Sequence, residues 1–174
     1  MFKFWAYILI GKDQIGKTTI QKIIWSNLCD NCSDNDLISD KKYPLKNDPN
    51  KSLFFSESSI QEKNEPENYI DFYYHKVFQP RTTSCILSSH ADGGCDLQVE
   101  HLIRLLKRDA FNVCGIFFSN SWGANEMRIA GLSWDETRWI ENPKLNSAES
   151  DIHSQLHRIG DKLSEVIHKR VIET

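Results

Sequence analysis

The sequence predicts an α/β fold in which a mainly parallel central sheet is flanked by helices. Short apolar runs typical of strands occur at residues 3–10, 52–58, 83–89 and 113–119. Segments with apolar residues at helical spacing occur at residues 17–28, 67–78, 97–111 and 151–172. Strands that alternate with helices in this way form parallel sheets with helices on both faces.

Length and composition indicate one globular domain spanning residues 1–174. The chain has 174 residues, of which 40% are apolar and 26% charged. Its net charge of −3 gives no global basic field, so nucleic acid is not indicated as a partner. No apolar run approaches the roughly 20 residues of a membrane span, and the N-terminal run lacks a small-residue cleavage site. We therefore expect a cytoplasmic protein without a membrane partner.

Two cysteines have the spacing of half a zinc site. Cys29 and Cys32 form a Cys-x-x-Cys pair, which Cys95 and a histidine would have to complete. We expect a polar helix end with free thiols, and a zinc site is the alternative. The odd total of five cysteines argues against a disulfide framework.

A glycine-rich loop joins the first predicted strand to the first predicted helix. In "ILIGKDQIGKTTIQ", residues 8–21, four residues separate Gly11 from Gly16, and Lys17 and Thr18 follow. This is the Walker A spacing, G-x-x-x-x-G-K-[ST]. The glycines allow the loop to curl, so that backbone N–H groups and the helix N-terminus can surround a phosphate chain.

On these residues the chain resembles the P-loop NTPase superfamily, which implies a three-layer P-loop fold, a nucleoside triphosphate and magnesium. The resemblance implies that Lys17 reaches the β- and γ-phosphates and that the Thr18 hydroxyl binds Mg²⁺. We expect Lys17 to point to solvent when no nucleotide is bound. The expected phosphate-binding residues are Gly11, Lys12, Asp13, Gln14, Ile15, Gly16, Lys17, Thr18 and Thr19.

The base of the nucleotide is expected to be adenine. P-loop GTPases carry D-x-x-G and N-K-x-D after later strands. Here Asp92 is followed by glycines at the wrong spacing, and Asn120 is followed by serine and tryptophan. Guanine specificity is therefore unsupported, and ATP is the expected ligand.

The acid that holds magnesium in most P-loop proteins is missing from the expected strand tip. Residues 83–89 are followed by His90, and the first acid is Asp92. We expect Asp92 to bend back to the metal, because open α/β sheets bind ligands at their carboxyl edge. The alternative is that a serine hydroxyl replaces the carboxylate, as in some small-molecule P-loop kinases. His90 is either a base at the mouth of the site or a turn residue bonded to the backbone.

Two further segments need separate interpretation. Residues 29–51 are rich in Asn, Asp, Lys and Ser, which predicts a polar insertion in loop conformation.

Residues 120–146 follow the last apolar strand, where P-loop kinases place an arginine-bearing lid. Arg128 and Arg138 are then candidates to offset transition-state charge. The alternative is a rigid flap in which an arginine stacks on a tryptophan.

The sequence thus predicts a kinase-like phosphotransferase that uses ATP and magnesium. The catalytic candidates are Lys17, Asp92, Arg128 and Arg138, and the candidate metal ligands are Thr18 and Asp92. The expected acceptor is a nucleoside, nucleotide or other small molecule, and the residues considered for its pocket are Asp71, Tyr74, His75 and Arg81. The alternative is a regulatory or assembly NTPase that signals its bound state to a protein partner.

Overall fold

The computed structural model describes most of the chain: residues 4–30, 36–59, 61, 69–72, 74–75, 84–92, 94–143 and 148–172. Within these residues strands and helices alternate. The strands are β1 (Phe4–Ile10), β2 (Lys41–Pro44), β3 (Ser52–Ser59), β4 (Ser84–Ser89), β5 (Phe111–Phe118) and β6 (Glu136–Ile140). The helices are α1 (Lys17–Leu28), α2 (Tyr69–Phe72), α3 (Cys95–Arg108), α4 (Ala124–Ala130) and α5 (Glu149–Ile172).

The strands described form one six-stranded sheet in the order β2-β3-β4-β1-β5-β6. Strand β1 lies between the parallel strands β4 and β5, and β3 and β6 continue the parallel arrangement on either side. Only β2, at one edge, runs antiparallel to its neighbour. The predicted α/β class with a mainly parallel sheet is confirmed. All five parallel strands end at the same edge of the sheet.

Both faces of the sheet are covered by helices. Successive side chains of a strand point to opposite faces, so Tyr7 and Leu9 of β1 pack with α1 and α5, whereas Ala6 and Ile8 pack with α3 and α4. This double burial explains why β1 is an apolar run without alternation. None of the helices in the described ranges is both long and apolar enough to cross a membrane.

The polar segment 29–51 contains a strand, which corrects the prediction of a loop. Residues 41–44 form β2, and Cys29 forms a bridge with Leu45. Two apolar side chains of this segment, Tyr43 and Leu45, are buried in the core with α1, whereas Ile38 is exposed. Polar residues separate them because β2 is an edge strand. The suggested zinc partner Cys32 lies outside the described residues.

The segment expected to form a lid is built into the sheet. Its residues form α4 and the parallel edge strand β6, and residues 144–147 lie outside the described part. The Trp134 indole donates a hydrogen bond to the carbonyl oxygen of Ile129, at 2.8 Å, and its ring packs against Phe117 of β5. Gly131 caps α4 in ordinary helical conformation. In this arrangement the segment is part of the sheet, and its closure on a bound nucleotide stays a prediction.

We predict that Gly160→Ala destabilises the protein, because α5 crosses α1 at this glycine. A Cβ atom there would lie 2.5 Å from Cγ2 and 2.8 Å from Cβ of Ile23, atoms that cannot move without the backbone. Alanine alone would favour the helix by about 1 kcal/mol, but overpacking costs about 1–3 kcal/mol. Urea unfolding should therefore show a lower midpoint than in the wild type.

Gly131→Ala is the matched control for this substitution. Its added Cβ would come no closer than 3.4 Å to another atom, so the midpoint should stay near the wild-type value. A Gly160→Ala protein as stable as the wild type would show that α1 and α5 are not in the described contact.

Candidate functional site

A cavity of about 740 Å³ lies at the carboxyl edge of the sheet. The glycine-rich loop forms its floor. The other lining residues come from the end of β3, from the turns after β5 and β6, and from the first turns of α5. The full lining is residues 12–19, residues 57–59, Asn120, Asn142, Ile152 and Leu156. The structure therefore brings all predicted loop residues except the buried Gly11 to one cavity.

The loop is curled, and two glycines permit the curl. Gly16 has a φ of 94°, which a residue with a side chain adopts only under strain. A Cβ atom at Gly11 would lie 2.2 Å from the Ile15 side chain, which folds back over it. A Cβ atom at Gly16 would lie 2.6 Å from Leu156 of α5. Larger residues at these positions would open the loop or displace α5.

The Lys17 side chain closes the loop from inside. Its Nζ atom donates hydrogen bonds to the carbonyl oxygens of Gly11, at 2.6 Å, and Lys12, at 2.8 Å. The lysine is buried, with 8% of its surface exposed. The expectation that it points to solvent is therefore wrong, because the carbonyl oxygens of the curled loop are its hydrogen-bond acceptors.

Residues after β5 and β6 hold the loop in place. The Lys12 backbone N–H donates to the Ser121 hydroxyl at 2.8 Å, and that hydroxyl donates to Glu126 of α4 at 2.7 Å. The Asn142 side-chain amide donates to the carbonyl oxygen of Ile15 at 2.9 Å and accepts a hydrogen bond from Gln155 of α5. The segment expected to be a lid thus supports the loop from the sheet.

Glu57 is the acid that the sequence interpretation missed. It lies near the end of β3, lines the cavity and is half-buried. Its Oε1 atom is buried and accepts no hydrogen bond from the part of the chain that the structure describes. Burial raises the pKa of this carboxyl group; Lys22 lowers it and Asp36 raises it by smaller amounts. The attraction of Lys22 therefore offsets only part of the cost of burying an ionised Glu57.

Asp92 does not take the place predicted for it. The residue is exposed and is not part of the cavity lining. Its carbonyl oxygen accepts a hydrogen bond from Cys95 at 3.1 Å, in the turn that leads to α3. Gly94, with a φ of 89°, precedes the helix and directs the chain into it. Asp92 therefore lies in the turn that starts α3 and not at the glycine-rich loop.

His90 contacts the loop from the end of β4. Its Nδ1 atom lies 3.0 Å from Oδ1 of Asp13, an ion-pair distance if the ring is protonated, although the two groups are not aligned for a hydrogen bond. The His90 backbone N–H donates to the Gln61 side chain at 3.0 Å. His90 therefore lies beside the loop, but it is not among the cavity-lining residues.

Neither candidate arginine lines the cavity. Arg128 is exposed on α4, and its guanidinium donates to the Asn125 side chain at 2.5 Å. Arg138 lies on β6 with its Nε atom 2.6 Å from Glu136, which also pairs with Arg170 of α5 at 2.6 Å. Residues 136 and 138 share a face of β6 because side chains alternate along a strand. The side chain of Arg138 is therefore held by Glu136, beside the ion pair that Glu136 forms with Arg170 of α5.

The residues suggested for an acceptor pocket pack against α3 instead. The Tyr74 hydroxyl contacts the carbonyl oxygen of Leu105 at 3.1 Å and a carboxylate oxygen of Asp109 at 3.0 Å. Asp71 lies 3.1 Å from the ring of His101. His75 is exposed, and Arg81 lies outside the described residues. Asp71, Tyr74 and His75 are therefore not among the described lining residues of the cavity.

The cavity is suited to a phosphate chain with a hard cation. The loop and the N-terminus of α1 offer backbone N–H groups, and Lys17 offers a positive charge. Thr18 and Glu57, whose Oε1 atom accepts no hydrogen bond from the described residues, line the same space. Oxygen donors of this kind are those that Mg²⁺ prefers.

No family model matches the chain, and no curated protein matches it. The function of the cavity therefore has to be inferred from its own residues.

We predict that Lys17→Ala destabilises the nucleotide-free protein. Removing the ammonium group leaves the carbonyl oxygens of Gly11 and Lys12 without this donor, and an unsatisfied buried acceptor costs about 1–3 kcal/mol. Urea unfolding should show that loss. Lys12→Ala is the control, since that side chain is exposed and its stability should not change. Equal urea midpoints for Lys17→Ala and Lys12→Ala would show that the Lys17 ammonium group does not hold the loop closed.

We predict that Glu57→Gln stabilises the nucleotide-free protein at pH 8. A carboxyl group whose pKa is raised on folding binds its proton more tightly in the folded state, so stability falls as pH rises through that pKa. The gain from glutamine should shrink as the pH approaches about 4, the ordinary range of glutamate. Thermal unfolding of the wild type and Glu57→Gln at several pH values measures this gain in stability.

Glu141→Gln, at an exposed position, is the control and should show no such trend. If the Glu57→Gln protein were less stable than the wild type at pH 8, burial of the ionised Glu57 carboxylate would not be destabilising, contrary to this prediction.

Proposed function

We propose that the chain is a P-loop NTPase-like protein, with the three-layer P-loop fold, that binds magnesium-ATP and transfers its γ-phosphoryl group. One observation carries the proposal: the curled loop, Lys17, Thr18 and Glu57 all face a single cavity at the carboxyl edge of a parallel sheet. Ligand sites of open α/β sheets lie at this edge. The expected acceptor remains a nucleoside, nucleotide or other small molecule with a hydroxyl group.

Phosphate binding would exchange the partners of Lys17. Its ammonium group now contacts two neutral carbonyl oxygens. Phosphate oxygens are stronger acceptors because their negative charge adds Coulombic attraction to the ammonium group. The lysine therefore gains by turning from the loop carbonyls to the β- and γ-phosphates. The loop amides and the N-terminus of α1 add positive charge at the same place.

Thr18 and Glu57 are the residues that would hold the magnesium ion of the substrate. The ion supplies neutralisation of the charge on the β- and γ-oxygens. Binding it would offset the desolvation that raises the pKa of Glu57. Glu57 replaces Asp92 in this role, because Glu57 lines the cavity and Asp92 does not.

The chain contributes positioning and charge to the transfer rather than a covalent intermediate. The transition state of phosphoryl transfer is loose, with its charge spread over the equatorial oxygens. Lys17 and the loop amides lie where they can stabilise that charge. Neither Arg128 nor Arg138 lines the cavity, so we assign them no part in the transfer.

A regulatory NTPase is the second candidate, and one observation favours it. The loop is tied to α5 by the Asn142 side chain, which joins Ile15 to Gln155, and by Leu156, which packs on Gly16. A change of loop conformation on binding would therefore reach a helix of 24 residues. A protein partner that contacts α5 could sense whether the loop is occupied.

We predict that magnesium-ATP stabilises the wild type and not the Lys17→Ala variant. At 100 times the dissociation constant, ligand adds roughly 2.7 kcal/mol to the free energy of unfolding. Differential scanning fluorimetry with and without ATP measures the shift. Lys162→Ala, at an exposed position of α5 outside the cavity lining, should keep it. An equal shift in the wild type and Lys17→Ala would contradict binding at the loop.

Release of the γ-phosphate separates the two candidate functions in the same protein. A phosphotransferase should turn over ATP rapidly only when a small hydroxyl compound from a nucleoside and nucleotide panel is present, with phosphate found on that compound. A regulatory NTPase should release inorganic phosphate slowly and ignore the panel. Glu57→Gln should lower either rate, whereas Glu141→Gln should not.

A further inference from the structure

We propose that Asn120, Ile152 and Leu156 form an adenine subsite at one end of the cavity and that Asn120 selects the base. This inference rests on the proposed function, because it places the base of the nucleotide whose phosphates the loop would bind. It assigns a specificity residue in the turn after β5.

The two ends of the cavity differ in chemistry because of the strand order. Strand β3, which carries Glu57, is two strands from β1 on one side, whereas β5 and β6 lie on the other. Asn120 follows β5 and Asn142 follows β6. At about 4.8 Å per strand, the ends of β3 and β6 are about 19 Å apart. This span accommodates a phosphate chain, a sugar and a base laid along the sheet edge.

The acids of the cavity lie on the β3 side. Glu57 is on β3, and Asp13 of the loop contacts His90 at the end of β4. Among the described lining residues, the opposite end has only amide and aliphatic side chains. The phosphates and their cation therefore belong at the β3 side, and an uncharged group belongs at the β5–β6 side.

Helix α5 provides an apolar wall at that uncharged end. Ile152 is half-buried and Leu156 is buried, and both line the cavity one helical turn apart. Leu156 also packs against Gly16, so the wall is fixed relative to the loop. Pockets for small ligands combine such apolar surfaces with a few placed polar groups. A planar base can pack against these two side chains.

Asn120 is the polar group that remains available at this end. Its Oδ1 atom is buried and has no hydrogen-bond partner within the described chain. The neighbouring polar groups are occupied: the Ser119 hydroxyl accepts from the Asn142 backbone N–H, the Ser121 hydroxyl accepts from Lys12, and the Asn142 amide bridges to α5. A ligand that donates a hydrogen bond to Asn120 would remove the unsatisfied acceptor.

The amide of Asn120 fits adenine better than guanine. An asparagine side chain accepts from the 6-amino group of adenine and donates to its N7 atom. Guanine presents two acceptors on the same edge, O6 and N7, so Oδ1 would stay without a donor. An acid would suit the donor groups of guanine, and none of the described lining residues at this end is an acid.

The test compares four ligands with magnesium by isothermal titration calorimetry: ATP, ITP, GTP and inorganic tripolyphosphate. ITP differs from ATP in the replacement of the 6-amino group by an oxygen. The wild type should bind ATP about tenfold more tightly than ITP or GTP, the value of one well-placed hydrogen bond. Asn120→Ala should bind ATP no better than ITP and should bind tripolyphosphate as the wild type does.

Asn125→Ala, at a half-buried asparagine on α4 that is not among the cavity-lining residues, is the matched control and should keep the preference for ATP. Equal binding of ATP and ITP by the wild type, or an unchanged preference in Asn120→Ala, would overturn the adenine subsite and leave the proposed function standing. Failure of tripolyphosphate and all nucleotides to bind would overturn both. Tripolyphosphate binding also verifies that each variant retains a folded loop.

Discussion

The Lys17 ammonium group holds the glycine-rich loop closed by donating to the carbonyl oxygens of Gly11 and Lys12. That contact fixes the curl in which the loop forms the floor of the cavity. In the proposed function, the same positive charge that closes the loop would bind the phosphates. In the proposed function, ligand binding and loop conformation would therefore be coupled, since one ammonium group would serve both sets of acceptors.

The parallel sheet determines what surrounds this loop. Its strands end at one edge, so turns far apart in sequence meet there: Ser121 and Asn142 support the loop from one side, and Glu57 faces it from the other. The strand order places the acid and the amides on opposite sides of β1. A polar nucleotide with a charged and an uncharged end matches that division.

Sequence periodicity predicted the buried elements and the loop, but not the relations between strands. The bounds of α1 were predicted to the residue, because its apolar spacing and the preceding glycine are local signals. Strand β6 was missed because its sequence, ETRWI, begins with three polar residues and has neither an apolar run nor a regular alternation. Glu57 was missed because no local signal shows that β4 inserts between β1 and β3. Arg138 was misplaced because its direction depends on the ion pair with Glu136.

The most direct test of the account is a backbone amide NMR titration with magnesium and a non-hydrolysable ATP analogue. The account predicts saturable shifts for residues 12–19, accompanied by shifts at Glu57 and Asn120 on the two sides of the loop, and smaller shifts at Gln155 through Asn142. Saturable shifts elsewhere with an unperturbed loop would contradict it, as would a spectrum that does not respond to the nucleotide.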